Sequence, residues 1–175
     1  MRLFLGKPSI ALTGFMFTGK SSVGRWLARE LCLEFVDLDE EIVRRAGRPI
    51  EEIFTAGGEQ AFREFERKAA QEILPVAGRV ISTGGGLVID DANRSLVRQT
   101  SCVVWLTATA ETILERFRTS RGKPRPLLDV PDPAARVAEL LGQREPFYRD
   151  CDLMVATDGR LVEDVCAEII GRIGS

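Results

Sequence analysis

The sequence predicts an α/β fold built on a parallel sheet of five strands. Three observations predict it. Short apolar runs alternate with amphipathic stretches along the whole chain. One run, Cys102–Leu106, is apolar throughout, as a strand covered on both faces must be. A glycine-rich turn joins the first apolar run to the first amphipathic one.

The elements follow in order. Ser9–Thr13 reads as a short buried strand. Lys20–Leu31 reads as a helix, with Val23, Leu27 and Leu31 on one face. Leu33–Asp37 is a second strand ending at an acid. Glu40–Ala46 and Ile50–Phe54 are short helical pieces separated by Gly47 and Pro49. Glu59–Leu74 is a longer charged helix, with Phe62, Phe65, Ala69 and Ile73 at helical spacing. Arg79–Thr83 is a third strand running into Gly84, Gly85 and Gly86. Asp91–Gln99 is a helix, Cys102–Leu106 the fourth strand and Thr109–Arg118 another helix. Residues 119–131 are polar, basic and rich in proline. Ala134–Phe147 is a helix, Leu153–Ala156 the fifth strand and Leu161–Ile173 a closing helix. Residues 40–75 and 119–131 are the two departures from simple alternation.

Composition removes several function classes. The 175 residues fit one domain of 1–175, large enough to bury a core without staples. There is no histidine, which excludes His-based acid–base catalysis and His-ligated metal. Cys32, Cys102, Cys151 and Cys166 show no CxxC spacing. Cys32, Cys102 and Cys166 have apolar neighbours, as buried thiols do, and a reducing cytoplasm suits them. The net charge of −2 gives no global footprint for nucleic acid. No apolar run is long enough to span a membrane, and the N-terminus is too polar for a signal peptide.

The strongest motif is Gly14-Phe15-Met16-Phe17-Thr18-Gly19-Lys20-Ser21, which matches G-x-x-x-x-G-K-[ST] between a strand and a helix. Its glycines let the backbone curl so that N–H groups face phosphate oxygens, and the helix that follows aims its positive end at the same anion. Lys20 would reach the β- and γ-phosphates of ATP, and Ser21 would ligate Mg²⁺. A GTPase is excluded, because the single asparagine, Asn93, is not in N-K-x-D and no D-x-x-G occurs. A motor-type ATPase is disfavoured, because the third and fourth strands end without an acid. Asp37 is the one acid at an apolar strand end. A small kinase remains, with residues 40–75 for the acceptor and 119–131 as a lid.

Several separated motifs then resemble the shikimate kinase family over nearly the whole chain. They are Gly14–Gly24, Asp37-Leu38-Asp39, Ile53–Glu66, Gly84–Gly86, Arg125-Pro126-Leu127-Leu128 and Arg144–Arg149. The resemblance implies a three-layer P-loop kinase fold with strand order 2-3-1-4-5. It implies transfer of the ATP γ-phosphate to the 3-hydroxyl of shikimate, with Mg²⁺, by a monomeric cytoplasmic enzyme of aromatic amino-acid biosynthesis.

By the same resemblance, ATP would lie on Gly14 through Ser22, with Arg118 and Arg160 near adenine and Arg125 on the transferring phosphate. Asp37 would hold Mg²⁺ with Ser21. Asp39 would accept a hydrogen bond from the attacking hydroxyl, the alternative being that it N-caps the next helix. Arg63, oriented by Glu66, and Arg144 would grip the carboxylate, which a planar guanidinium matches with two parallel bonds. Gly84, Gly85 and Gly86 would face the ring hydroxyls. Phe54 and Phe62 read as core residues beside the acceptor pocket. Phe17 stands where the family usually has glycine, and the family's proline is missing near Thr157–Leu161. Three alternatives stay open: a kinase for another acid such as gluconate, a nucleotide-binding regulator without turnover, and an RNA-binding module using the charges at 116–125.

Overall fold

The computed structural model describes residues 3–120, 127–128 and 130–174. Its sheet has five parallel strands, β1 Ser9–Thr13, β2 Glu34–Asp37, β3 Arg79–Ser82, β4 Ser101–Thr107 and β5 Leu153–Ala156. Their order is β2-β3-β1-β4-β5, as the resemblance implied. Every crossover is long enough for a helix, which parallel pairing requires.

The register puts Asp37 beside Ser82, Leu12 beside Ser82, Thr13 beside Trp105 and Thr107 beside Ala156. All five carboxyl ends therefore meet at one edge. The chain leaves β1 toward β3 on one side and β4 on the other. Ligands of open α/β sheets bind at such a switch point.

Side-chain alternation along β1 makes the two helical layers. Ile10 and Leu12 pack with Leu27 and Leu31 of α1 (Lys20–Leu31) and with Ile169 and Ile173 of α7 (Val162–Ile173). Ala11 faces the other way, onto Ile42 of α2 (Leu38–Ala46) and Phe62, Ala69 and Ile73 of α3 (Ile50–Ile73). Val97 of α4 (Asp91–Thr100) completes that face. A third cluster joins Phe15 and Trp105 to Ile113 of α5 (Ala110–Thr119) and to Val137, Leu140 and Tyr148 of α6 (Pro133–Tyr148).

Element boundaries differ from the sequence reading for local reasons. α2 begins at Leu38, two residues early, because the Asp37 carboxylate accepts from the N–H groups of Asp39 (3.1 Å) and Glu40 (3.4 Å). The N-cap is thus Asp37, and Asp39 lies inside the first turn. The pieces expected at 50–54 and 59–74 form α3, broken at Gly58, whose φ of 67° is left-handed. Cys102 and Cys166 are buried, and burial pushes both thiols up to about 12. Cys32, expected to be buried, is exposed, because it ends α1 in a left-handed turn (φ 54°) that points its side chain off the core. Among the described residues no helix is long and apolar enough to cross a membrane.

α1 lies tightly on the sheet at Gly24. A Cβ there would strike the Phe35 ring and come within 3.2 Å of Leu12 Cδ1. Gly24→Ala therefore costs about 1–2 kcal/mol of stability, overpacking outweighing the better helix propensity. Urea unfolding checks this, and an unchanged or higher midpoint contradicts the packing.

Candidate active site

One cavity of about 510 Å³ opens at the carboxyl edge of the sheet. Its floor is the turn between β1 and α1. Gly14 (φ 132°) and Gly19 (φ 93°) take backbone angles that side chains resist. A Cβ on Gly14 would also collide with the Leu106 carbonyl, so β4 and the loop press together there. Thr18 Oγ donates to the Phe15 carbonyl (2.8 Å), and Lys20 Nζ donates to the carbonyls of Gly14 (2.9 Å) and Phe15 (2.7 Å). Among the described residues no side chain caps α1, and its first residues line the cavity, as a helix N-terminus that receives an anion would. Met16, Phe17, Thr18, Gly19, Lys20, Ser21 and Ser22 line it, whereas Gly14 and Phe15 support the loop from beneath.

Ser21 Oγ donates to Asp37 Oδ2 at 2.5 Å and lies 3.5 Å from Ser82 Oγ. A hydroxyl beside one carboxylate fits Mg²⁺, which commonly takes few protein ligands and completes its shell with phosphate oxygens and water. Asp39 lines the same cavity from α2.

Glycines and charged heads share the opposite end. A Cβ on Gly84 would sit 2.9 Å from Asp39 Oδ1 and 3.1 Å from Glu66 Oε1. One on Gly86 would meet the Arg63 guanidinium, with Nη2 at 2.6 Å. Arg63 donates to Glu66 Oε2 (2.6 Å) and to Glu59 Oε1 (3.0 Å). Glu66 is 1% exposed, and its Oε1 has no hydrogen-bond partner among the described residues. Burial holds its carboxyl above the ordinary 4.5, against the opposing pull of Arg63.

Arg144 is 6% exposed. Its guanidinium lies 5.6 Å over the Phe15 ring and 3.4 Å from the Gly85 carbonyl. Among the described residues it forms no salt bridge, although the Glu66 carboxylate is near enough to feel its charge, and a buried guanidinium on a cavity wall suits an anionic ligand. The Tyr148 hydroxyl also donates to the Gly85 carbonyl. Burial pushes that phenol up to about 12, so it stays a donor.

The structure thus brings Lys20, Ser21, Asp37, Asp39, Arg63, Gly84, Gly85, Gly86 and Arg144 to one cavity. Phe54 and Phe62 stack at 5.0 Å and line it too. Arg160 lines the other end, bound to Glu168 Oε2 (2.6 Å) and the Asp164 carbonyl (3.0 Å). Arg118 is exposed on α5, away from the lining. Arg125 lies outside the described residues. Sequence reasoning missed Tyr148, although it stands inside the quoted Arg144–Arg149 motif. It named Arg116 only as part of the basic run at 116–125 and Thr157 only as the start of the segment where an adenine loop was expected, and gave neither a role of its own; both line the cavity.

Comparison with known proteins gives this geometry its family. The shikimate kinase family model matches residues 16–174. The chain belongs to the shikimate kinase family. The shikimate kinase of Geobacter sulfurreducens is 50% identical over 161 residues, covering 92% of this chain and 88% of the relative. The structure of shikimate kinase from Acinetobacter baumannii in complex with shikimate superposes with a TM-score of 0.89 at 38% identity, covering 94% and 91% of the two chains. A gluconokinase from Sinorhizobium meliloti superposes at 0.60 with 16% identity, a likeness of fold alone, over 98% of this chain and 93% of that one.

Glu66 gives this family member a pH signature. The folded state binds its proton more tightly than the unfolded chain, so its ionisation subtracts stability as pH rises above 4.5. The stability of Glu66→Gln relative to wild type should therefore increase with pH from 4.5 upward. Denaturant unfolding across pH 4–8 measures this, and a flat or falling difference contradicts the burial argument.

Proposed function

We propose that this chain transfers the γ-phosphoryl group of ATP to the 3-hydroxyl of shikimate, giving shikimate 3-phosphate for aromatic amino-acid biosynthesis. The observation that carries the reading is the pairing, in one cavity, of a phosphate loop with a buried arginine that forms no salt bridge among the described residues. An anionic phosphate chain suits one end, and a carboxylic acid suits the other.

The roles follow from chemistry. Phosphoryl transfer proceeds through a loose transition state, so catalysis is mostly positioning and charge stabilisation. The loop N–H groups and Lys20 hold the β- and γ-phosphates. Ser21 and Asp37 would hold Mg²⁺, which when bound neutralises charge on the phosphate oxygens. Asp39 accepts the hydrogen bond of the attacking hydroxyl and aims its oxygen at the γ-phosphorus. Arg63, set by Glu66 and Glu59, and Arg144 hold the carboxylate. Gly84–Gly86 let the ring approach the backbone.

Residues 40–75 act as the acceptor subregion; the lid expected at 119–131, with Arg125, falls mostly outside the described residues. Arg160, which lines the cavity, serves the adenine end; Arg118, expected there too, lies outside the lining. One chain supplies both halves of the cavity, which suits a monomer, and free thiols suit the cytoplasm. A gluconate-type acceptor is not favoured, since the likeness there extends to fold alone.

Two variants test the assignment. Asp39→Asn should lower kcat by about 10²–10³-fold while leaving nucleotide affinity within twofold, because it removes an acceptor used in the reaction. Arg144→Met should raise the KM for shikimate by roughly tenfold or more, the loss of a charged hydrogen bond in a buried site. Steady-state kinetics with shikimate and Mg-ATP varied separately measures both. Wild-type values in either variant overturn that residue's role.

A further inference from the structure

Tyr148 is the sole tyrosine of the chain, and it ends α6 almost fully buried. A buried phenol needs a partner for its hydroxyl. That partner is the Gly85 carbonyl, and the Trp105 ring on β4 steadies the phenol with centroids 6.0 Å apart. The same carbonyl faces a second donor. Arg144 Nη1, one turn earlier on α6, lies 3.4 Å from it, beyond the range of a strong bond.

Two donors from one helix thus compete for one oxygen, and the phenol holds the close approach. The backbone is poorly placed to settle the contest by moving. A Cβ on Gly85 would lie 3.6 Å from Arg144 Nη1, and also 3.6 Å from both the Gly14 carbonyl oxygen and the Met16 nitrogen of the phosphate loop. The Gly85 peptide is therefore lodged between that loop and α6. Without the phenol, the carbonyl would draw the guanidinium into a full bond, because a buried carbonyl and a buried cation each gain by pairing. An anion entering the cavity would then have to break that bond. With the phenol in place, the guanidinium rests loosely over the Phe15 ring at 5.6 Å. Burial outweighs the pull of Arg144 on the Tyr148 proton, so the hydroxyl remains a donor.

We propose that Tyr148 is a positioning residue for the acceptor: its hydroxyl occupies the Gly85 carbonyl and so keeps the Arg144 guanidinium available to a carboxylate. The inference rests on the acceptor reading given above and deepens it. Tyr148 itself touches neither substrate.

The test is calorimetric titration of shikimate and of Mg-ADP, each alone, into wild type, Tyr148→Phe, Arg144→Met and the double variant, with a melting temperature for each. Tyr148→Phe keeps the ring against Trp105 and removes only the hydroxyl. It should weaken shikimate about fivefold or more and leave Mg-ADP within about twofold. In the Arg144→Met background the same change should weaken shikimate by less than about twofold, because no guanidinium is left to hold back. Where Arg144→Met binds too weakly to titrate, kcat/KM for shikimate supplies the same comparison. A purely structural phenol would weaken both ligands together, add its full loss in the double variant, or lower the melting temperature with shikimate affinity intact. Each of these results overturns the proposal. If Tyr148→Phe does not fold, wild-type protein labelled with ¹³Cζ-tyrosine reports on this one residue by NMR. Its resonance should shift when shikimate binds and Arg144 turns to the carboxylate, and an unmoved resonance overturns the proposal. Wild-type protein that binds Mg-ADP but no shikimate removes the acceptor reading itself, a failure distinct from the others.

Discussion

The contact between Gly14 and the Leu106 carbonyl is the constraint on which the rest of the structure depends. β1 and β4 are neighbours in the centre of the sheet, and the chain must turn from β1 into α1 across the end of β4. Without a side chain at Gly14 the turn stays low, and Lys20 folds back over its carbonyls. α1 then begins at the cavity floor. The close seating of Gly24 under Phe35 and Leu12 keeps that helix in line with the strand it follows.

The same device recurs at the far end. Gly84 and Gly86 each lie where a Cβ would meet a charged side chain, Asp39 and Glu66 in one case and Arg63 in the other. The backbone after β3 thereby becomes a surface against which ionised groups are pressed. Arg144 and Tyr148 converge on the Gly85 carbonyl from α6, the helix most distant in sequence that reaches this end. The chain as a whole carries a charge of −2, yet Lys20, Arg63, Arg116, Arg144 and Arg160 all line one cavity. Field focusing in a cleft depends on that local excess and is insensitive to net charge.

Much of this was legible in the sequence because it is local. The phosphate loop is contiguous, and alternation of strands with helices is a periodicity signal. Strand order was legible through family likeness and not through pattern, because it is set by crossovers that leave no local mark. Asp37 and Asp39 were readable as a pair, but their division of labour was not. One side chain closes the helix and the other stands in its first turn, a difference of two residues in where α2 begins. The burial of Arg144 and the bond of Tyr148 to Gly85 were hidden, since each depends on residues more than 40 positions away. Cys32 misled because its apolar neighbours describe the helix it ends and not its own left-handed turn.

A cavity that seats a nucleotide and shikimate together should make phosphoryl transfer depend on the acceptor. The most direct measurement follows ADP release from Mg-ATP by the wild-type chain with shikimate, with gluconate and with no acceptor, identifying the phosphorylated product by phosphorus NMR. Release should require shikimate and yield the 3-phosphate, with gluconate at background. Background release with shikimate, from protein that binds ATP, would contradict it.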